Sequence, residues 1–212
     1  ASQQQQAQEG NYWDSFIKIN MNYDKRNQKF QTSDGFKSFY SIDLPVLSDT
    51  NTIKNYYNYS HYFDFFEKNF SSISIYLQSA NSLNDKNIKL SERITIPSSR
   101  LRGFEKGKVG PKDSSDFIGG NYISTLNLST NLPTILRNME NVDFTYFIDI
   151  ANIWGVDYDS SIDDSNVIRS STGVGLDLLT PIGPLSFSLS QPITKKSSDN
   201  TETFRFNIGT TF

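Results

Sequence analysis

The chain has 212 residues, a formal net charge of -3 and no cysteine. That balance lacks the basic stripe of a nucleic-acid binder, so no nucleic-acid partner is expected, and without cysteine neither a disulfide, a thiolate nucleophile nor a Cys-ligated metal can form. Aromatic residues reach 14%, with 16 Phe and 11 Tyr against 2 Trp, a content that suits a soluble domain or a membrane barrel with aromatic girdles.

The N-terminal segment 1–10 reads ASQQQQAQEG. It lacks the basic start and apolar core of a signal peptide. Its Gln run predicts a mobile polar segment, left either by removal of a signal or by division of a longer chain. No later run approaches the roughly 20 apolar residues of a membrane-spanning helix. The mean hydropathy of -0.50 excludes a helical membrane protein. A barrel stays open, because its strands hide a lipid face in alternate positions.

From residue 11 onward the dominant period is two. Ile17, Ile19, Met21 and Tyr23 alternate with Lys18, Asn20 and Asn22, which predicts a strand over 13–23. A turn region rich in Asn, Asp and Ser covers 24–35, and a second strand covers 36–44 before Pro45, which cannot donate to a ladder. Residues 53–66 form the most aromatic strand, with Tyr57, Tyr59, His61 and Phe63 on one face and Tyr56, Asn58, Ser60 and Tyr62 on the other. A strand over 71–83 sets Ile73, Ile75 and Leu77 against Ser72, Ser74, Tyr76 and Gln78, and 88–96 extends the same hairpin region.

A long connection over 97–115 follows, without alternation and with Gly107, Gly110 and Pro111 inside it. Structureless connections of that length are usually functional or disordered. Strand signals resume over 116–131 after Gly119-Gly120-Asn121, with a turn at 133–141 that has room for one helical turn at 135–137. Residues 142–154 carry the strongest strand: Val142, Phe144, Tyr146, Ile148 and Ile150 on one face, Asp143, Thr145, Phe147 and Asp149 on the other. An acidic loop over 155–166 leads to a strand over 167–179, the turn at Pro181, the Leu-Ser-Phe-Ser-Leu-Ser strand of 185–190, and a final strand through Phe204, Phe206, Ile208 and Phe212.

That gives about nine strands and no convincing helix. After Pro97 the connections alternate long and short, as in outer-membrane barrels with short periplasmic turns and longer outer loops. The period alone fits two architectures. In a soluble sandwich the apolar face is the core; in a barrel it meets lipid and the polar face meets a wet lumen.

Leu101-Arg102-Gly103-Phe104 lies within the long connection. It joins a rigid planar cation, a residue free to take positive φ and a large apolar anchor. Such a tip suits docking in a cavity lined by carboxylates, and equally an exposed turn among solvated charges. The motif resembles the Val/Ile-Arg-Gly-Phe loop of the BamA-type outer-membrane assembly family. Four further pieces follow in the family's order: Gly119-Gly120-Asn121; Phe147-Ile148-Asp149-Ile150-Ala151-Asn152-Ile153-Trp154, similar to its Phe-x-Asp-x-Gly-x-x-Trp strand; Thr180-Pro181-Ile182-Gly183-Pro184-Leu185; and a tail from Phe204 through Gly209 to Phe212 that ends in an aromatic.

The resemblance implies an all-β fold, an antiparallel transmembrane β-barrel of about 16 strands. Residues 11–212 would be its C-terminal strands, without the earlier strands and the periplasmic repeats through which accessory lipoproteins bind. It implies that the long connection enters the lumen, that Arg102 pairs with Asp149, and that the seam runs along Phe204, Phe206, Ile208, Gly209 and Phe212. Two positions depart from the pattern. A second carboxylate often found on the strand after Gly-Gly-Asn is matched here by Ser129, and the glycine after the strand aspartate is Ala151. Arg102 therefore rests on Asp149 alone, or uses Asp143 or Asp177.

Other candidates carry less. His61 is the only histidine and lies on an aromatic face, poor support for a metal. Asp157, Asp159, Asp163 and Asp164 miss the calcium-loop spacing and suit a solvated loop. No Gly-x-Ser-x-Gly elbow is present, and Gly173-x-Gly175 follows no phosphate-binding pattern. No enzyme chemistry, metal or cofactor is expected. The resemblance implies insertion of unfolded outer-membrane proteins into the outer membrane of a Gram-negative bacterium. The alternatives are a related two-partner secretion or translocation pore, and a soluble β-sandwich binding module.

Overall fold

The computed structural model describes residues 6–66, 69–84, 86–132, 141–181 and 183–208. Its strands are β1 (Phe16–Asp24), β2 (Gly35–Pro45), β3 (Thr52–Phe66), β4 (Asn69–Ser82), β5 (Lys112–Asp113), β6 (Asp116–Phe117), β7 (Tyr122–Asn131), β8 (Val142–Trp154), β9 (Arg169–Thr180), β10 (Gly183–Thr194) and β11 (Phe204–Ile208). Among the described residues, 9 of these form one sheet in the order β1-β2-β3-β4-β7-β8-β9-β10-β11, every neighbouring pair antiparallel. β5 and β6 make a separate two-residue hairpin. The sheet does not close: β1 and β11 each have one strand partner among the described residues.

The two faces follow from the alternation. Ile75, Leu126 and Ile150 share one cross-strand row, while Ser60, Ser74, Asn127, Asp149 and Ser171 share the neighbouring row on the opposite face. The apolar row is the exposed one: Ile75 keeps 39%, Leu77 44% and Phe206 44% of their surface open. No second sheet covers it among the described residues, so the sandwich reading fails and the barrel reading holds. His61 is on this outward face, stacked on Phe63 with centroids 6.0 Å apart. No helix of the described residues is long and apolar enough to cross a membrane.

The inner face departs from expectation. It is not wet throughout. Near the outer ends of β4, β7 and β8 it carries Tyr76, Ala80, Ile123, Ala151 and Ile153, and the β4–β7 connection covers them with Ile88, Ile94, Ile96, Leu101, Phe104 and Val109. The main dry core thus lies between wall and loop. This explains a second departure. The alternation over 88–96 predicts a strand extension, but the segment holds only a single 3-10 turn at Leu90–Glu92 and one bridge between Ile94 and Gly120. β4 already has β3 and β7 on its two edges, so no lateral slot is free. Ile88, Ile94 and Ile96 recur because they plug an apolar wall. The connection therefore runs over 83–121, longer than 97–115, and contains the β5–β6 hairpin where no strand was expected. The helical turn expected at 135–137 lies outside the described residues.

The chain before β1 and the turn after it both reach inward. Gln8 accepts the Leu90 N–H at 2.9 Å, so part of the segment 1–10 rests on the loop, while 1–5 lie outside the described residues. In the β1–β2 connection Gln31 donates to the Val142 carbonyl at 3.2 Å.

Ile153 has no exposed surface and touches the loop from the wall. Ile153→Ala in the full-length protein should remove about 2–5 kcal/mol of loop docking. Amide exchange at Ile94 and Gly120 should quicken while the β8 ladder stays protected. Unchanged exchange at those two amides would show that this contact does not hold the loop.

Candidate functional site

The site begins with one carboxylate. Asp149 falls on the inner phase of β8 and is fully buried. A charged carboxylate out of water needs partners on both oxygens. The loop tip and the neighbouring strand supply four donors. Oδ2 accepts the Arg102 backbone N–H at 3.0 Å and Nε at 2.8 Å. Oδ1 accepts Arg102 Nη2 at 2.8 Å and the Asn127 amide at 2.8 Å. The guanidinium is bidentate, the geometry that distinguishes arginine from lysine. Its carbon lies 3.3 Å from the centroid of the Phe147 ring, a cation–π contact two residues before Asp149 on the same face.

Glycines make the room. A Cβ on Gly173 would lie 2.1 Å from the Leu189 carbonyl oxygen and 2.8 Å from Phe147 Cζ, so only glycine lets that ring lie against β9. Gly103 has φ 89°, and a Cβ there would meet Ser171 Cβ at 3.2 Å. Positive φ favours glycine at the tip, and a Cβ would also press on the Ser171 side chain. Leu101 and Phe104 on either side are buried in the loop core, and Phe104 forms a β-bridge to Thr201.

The neighbouring charges extend the contact across the wall. Arg100 donates to Asn58 on β3 at 2.7 Å, and Asn127 on β7 donates to the Arg100 carbonyl at 2.8 Å. A second buried carboxylate, Asp199 in the β10–β11 loop, also has four donors: Arg169 Nε at 3.0 Å and Nη2 at 3.3 Å, and the N–H groups of Gly110 at 3.2 Å and Lys196 at 2.8 Å. Arg93 bonds Asn121 and the Gly155 carbonyl, each at 3.0 Å, and pairs with Asp157. Burial pulls the Arg93 pKa down, and the Asp157 charge opposes that. On β11, Arg205 is only 8% exposed. It bonds Glu202 and the carbonyls of Ser98 and Phe104.

The structure thus brings Leu101, Arg102, Gly103 and Phe104 together with Asp149. Asp143 and Asp177 instead lie opposite each other across β8 and β9, and Asp177 accepts the Ser186 hydroxyl at 2.5 Å. The β7 residue that reaches Asp149 is Asn127, not Ser129, which is in register with Phe147. Asn127, Arg169, Asp199 and Arg205 escaped the sequence reading. The available signal was strand phase: each of the two arginines is a cation on the polar face of its strand. In the acidic loop, Asp164 accepts the Val156 N–H at 3.0 Å, Asp159 the Ser161 N–H at 2.8 Å, and Asp163 pairs with Lys196. On β11, Phe204, Phe206 and Ile208 point outward and exposed, with Phe206 stacked on Phe187 at 4.8 Å. Gly209 and Phe212 lie outside the described residues.

Comparison with known proteins places this wall. The model of the Omp85 superfamily domain matches residues 1–212. Outer membrane protein assembly factor BamA of Neisseria meningitidis serogroup B is 27% identical over 139 residues, covering 53% of this chain and 17% of that protein. The BamA of Neorickettsia risticii is 28% identical over 115 residues, covering 53% and 16%. A SAM50-like protein of Schizosaccharomyces pombe is 28% identical over 139 residues, covering 60% and 28%. The chain thus spans 17% and 16% of the length of the two bacterial relatives. The crystal structure of BamA from Haemophilus ducreyi lacking POTRA domains 1–3 matches with a TM-score of 0.80 at 27% identity, over 89% of this chain and 41% of that one. The inner face is therefore the lumenal wall and the covering connection a lumenal loop. The chain belongs to the Omp85 superfamily, and its described residues form nine strands of a BamA-type outer-membrane β-barrel.

Proposed function

We propose that this barrel segment serves outer-membrane protein insertion, with unfolded outer-membrane proteins as substrates and the seam beside β11 as their point of entry. The observation that carries this reading is where the loop lies. It packs on the inner wall from Asn58 of β3 to Arg205 of β11, with a dry core beneath it. A substrate passing through the lumen would have to expel that loop. The side of β11 turned away from β10, which carries no strand among the described residues, instead has backbone N–H and C=O groups that suit strand addition. Strand addition supplies its own hydrogen bonds and needs no cofactor. Two of the similar proteins are named assembly factors, which supports the same reading. Periplasmic repeats and the accessory lipoproteins they bind would lie in the parts of the relatives that this chain does not span.

In this reading the Arg102–Asp149 pair locks the loop. Removing one member of a buried pair typically costs about 3–5 kcal/mol. Arg102→Ala should leave the strands formed and make the loop susceptible to protease in the full-length protein. Protease resistance equal to wild type would count against the lock.

This segment lacks cysteine, so in a full-length protein with any other cysteines replaced one introduced thiol reports cleanly. Asn207→Cys on β11 should form disulfides with a cysteine-bearing substrate strand during insertion. Cross-links forming instead from the loop tip, at Lys106→Cys, would favour the alternative of secretion through the lumen.

A further inference from the structure

β11 is described from Phe204 to Ile208. Among the described residues it pairs with β10 from Leu185 to Leu189. Its outward side chains, Phe204, Phe206 and Ile208, are exposed and meet no second layer among the described residues. What holds its inner side is Arg205. Two of the acceptors are main-chain carbonyls of the lumenal loop, Ser98 at 2.5 Å and Phe104. The third is Glu202, which accepts from Nε at 3.1 Å and Nη2 at 2.7 Å.

The two carbonyls bracket the tip. Ser98 precedes Leu101-Arg102-Gly103 and Phe104 follows it. They converge on one guanidinium only while the segment between them is folded back. Arg102, inside that turn, binds the other way, to Asp149 on β8. Further main-chain bonds lace the same loop to the strand's approach: Glu105 N–H to Asn200 O at 3.1 Å, Asn200 N–H to Lys108 O at 3.0 Å, and Glu202 N–H to Gly103 O at 3.1 Å. The tip is thus gripped from β8 by a carboxylate and from β11 by a cation.

We propose that Arg205 is a positioning residue through which the folded loop tip holds β11 in place, so that undocking of the tip and release of the strand are linked. A planar fork with five donors can hold two carbonyls and a carboxylate at once; an ammonium or a carboxamide cannot satisfy all three with that geometry. If the tip opens, Arg205 is left buried without two of its acceptors, which favours movement of β11. Linkage is reciprocal: drawing β11 toward an incoming strand loosens the tip by the same factor. The role of this linkage in insertion rests on β11 being the seam strand; the linkage itself does not.

The test is amide exchange of the full-length protein in lipid nanodiscs, without substrate. Arg102→Ala should speed exchange of β11 amides 204–208 about fivefold or more, the lower end of typical coupling. In an Arg205→Gln background, where β11 is already released, Arg102→Ala should add little. Arg205→Lys, which keeps the charge and loses the fork, should fall between. A purely structural Arg205 predicts additive effects of the two substitutions, and additivity overturns the proposal, as does β11 exchange indifferent to Arg102→Ala. If Arg205→Gln does not reach the membrane, the same cycle run with Arg205→Lys decides on the same criterion. Insertion of a barrel substrate measured in parallel separates the two readings. Coupled exchange with unchanged insertion supports the linkage and removes the seam role; uncoupled exchange overturns the linkage whatever insertion does.

Discussion

A carboxylate with no exposed surface sets the terms for the rest of the wall. Asp149 is placed inward by the simple parity of β8, and nothing on β8 itself can neutralise it. Three of its four donors come from Arg102. Burial and loop docking are therefore one event: with the tip away, the carboxylate either takes up water or remains an unpaired charge in a low-dielectric wall. Phe147 and Gly173 serve the same pairing, one as the surface on which the guanidinium lies, the other as the gap that lets Phe147 lie there. Asp199 repeats the arrangement at the rim with Arg169 and the Gly110 N–H. Two points of the loop are thus fixed by four-donor carboxylates.

The sheet solves a two-solvent problem. Outward, the strands present Ile, Leu and Phe to hydrocarbon and need only backbone pairing to be satisfied. Inward, they face a lumen that is wet in part and dry in part. The dry part exists because the loop brings its own apolar side chains, and they meet an apolar patch on β4, β7 and β8. The loop adds the directional contacts at its tip. Apolar burial supplies most of the attraction, being non-directional. The arginine forks fix where the tip comes to rest, since their hydrogen bonds are lost with small displacements.

Much of this was legible in strand parity. Residues 142–154 read as one strand and are one, because their alternation serves nothing but the two faces. The phase that put Asp149 inward also put Arg102 within its reach once the loop was turned inward. Parity misled at Ile88, Ile94 and Ile96, where period two arises from a loop plugging a wall whose strand edges were already taken. It was under-used at Arg205, Arg169 and Asn127. Asn127 stands directly across from Asp149, yet family position pointed two residues further along, to Ser129. Register between strands is a pairwise fact, and single-strand periodicity does not contain it.

The placement of arginine rather than lysine has a consequence for motion. In the proposed role a strand that parts from its neighbour to admit another cannot be held by burial, and β11 is not: its apolar side chains face outward. Elements that move are drawn from the low-stability end of a structure. What β11 has instead is a polar tether whose acceptors are main-chain carbonyls of another element, present in the right geometry only when that element is folded. Such a tether is firm while the loop is docked and loses its acceptors when the loop is not. The wall strands β7 and β8, laced on both edges and sealed by the loop core, have no comparable freedom. The barrel segment therefore divides into a fixed wall and one conditional strand, and the tip of the lumenal loop is bonded to both: to β8 through the Arg102–Asp149 pair, and to β11 through the Ser98 and Phe104 carbonyls that accept from Arg205.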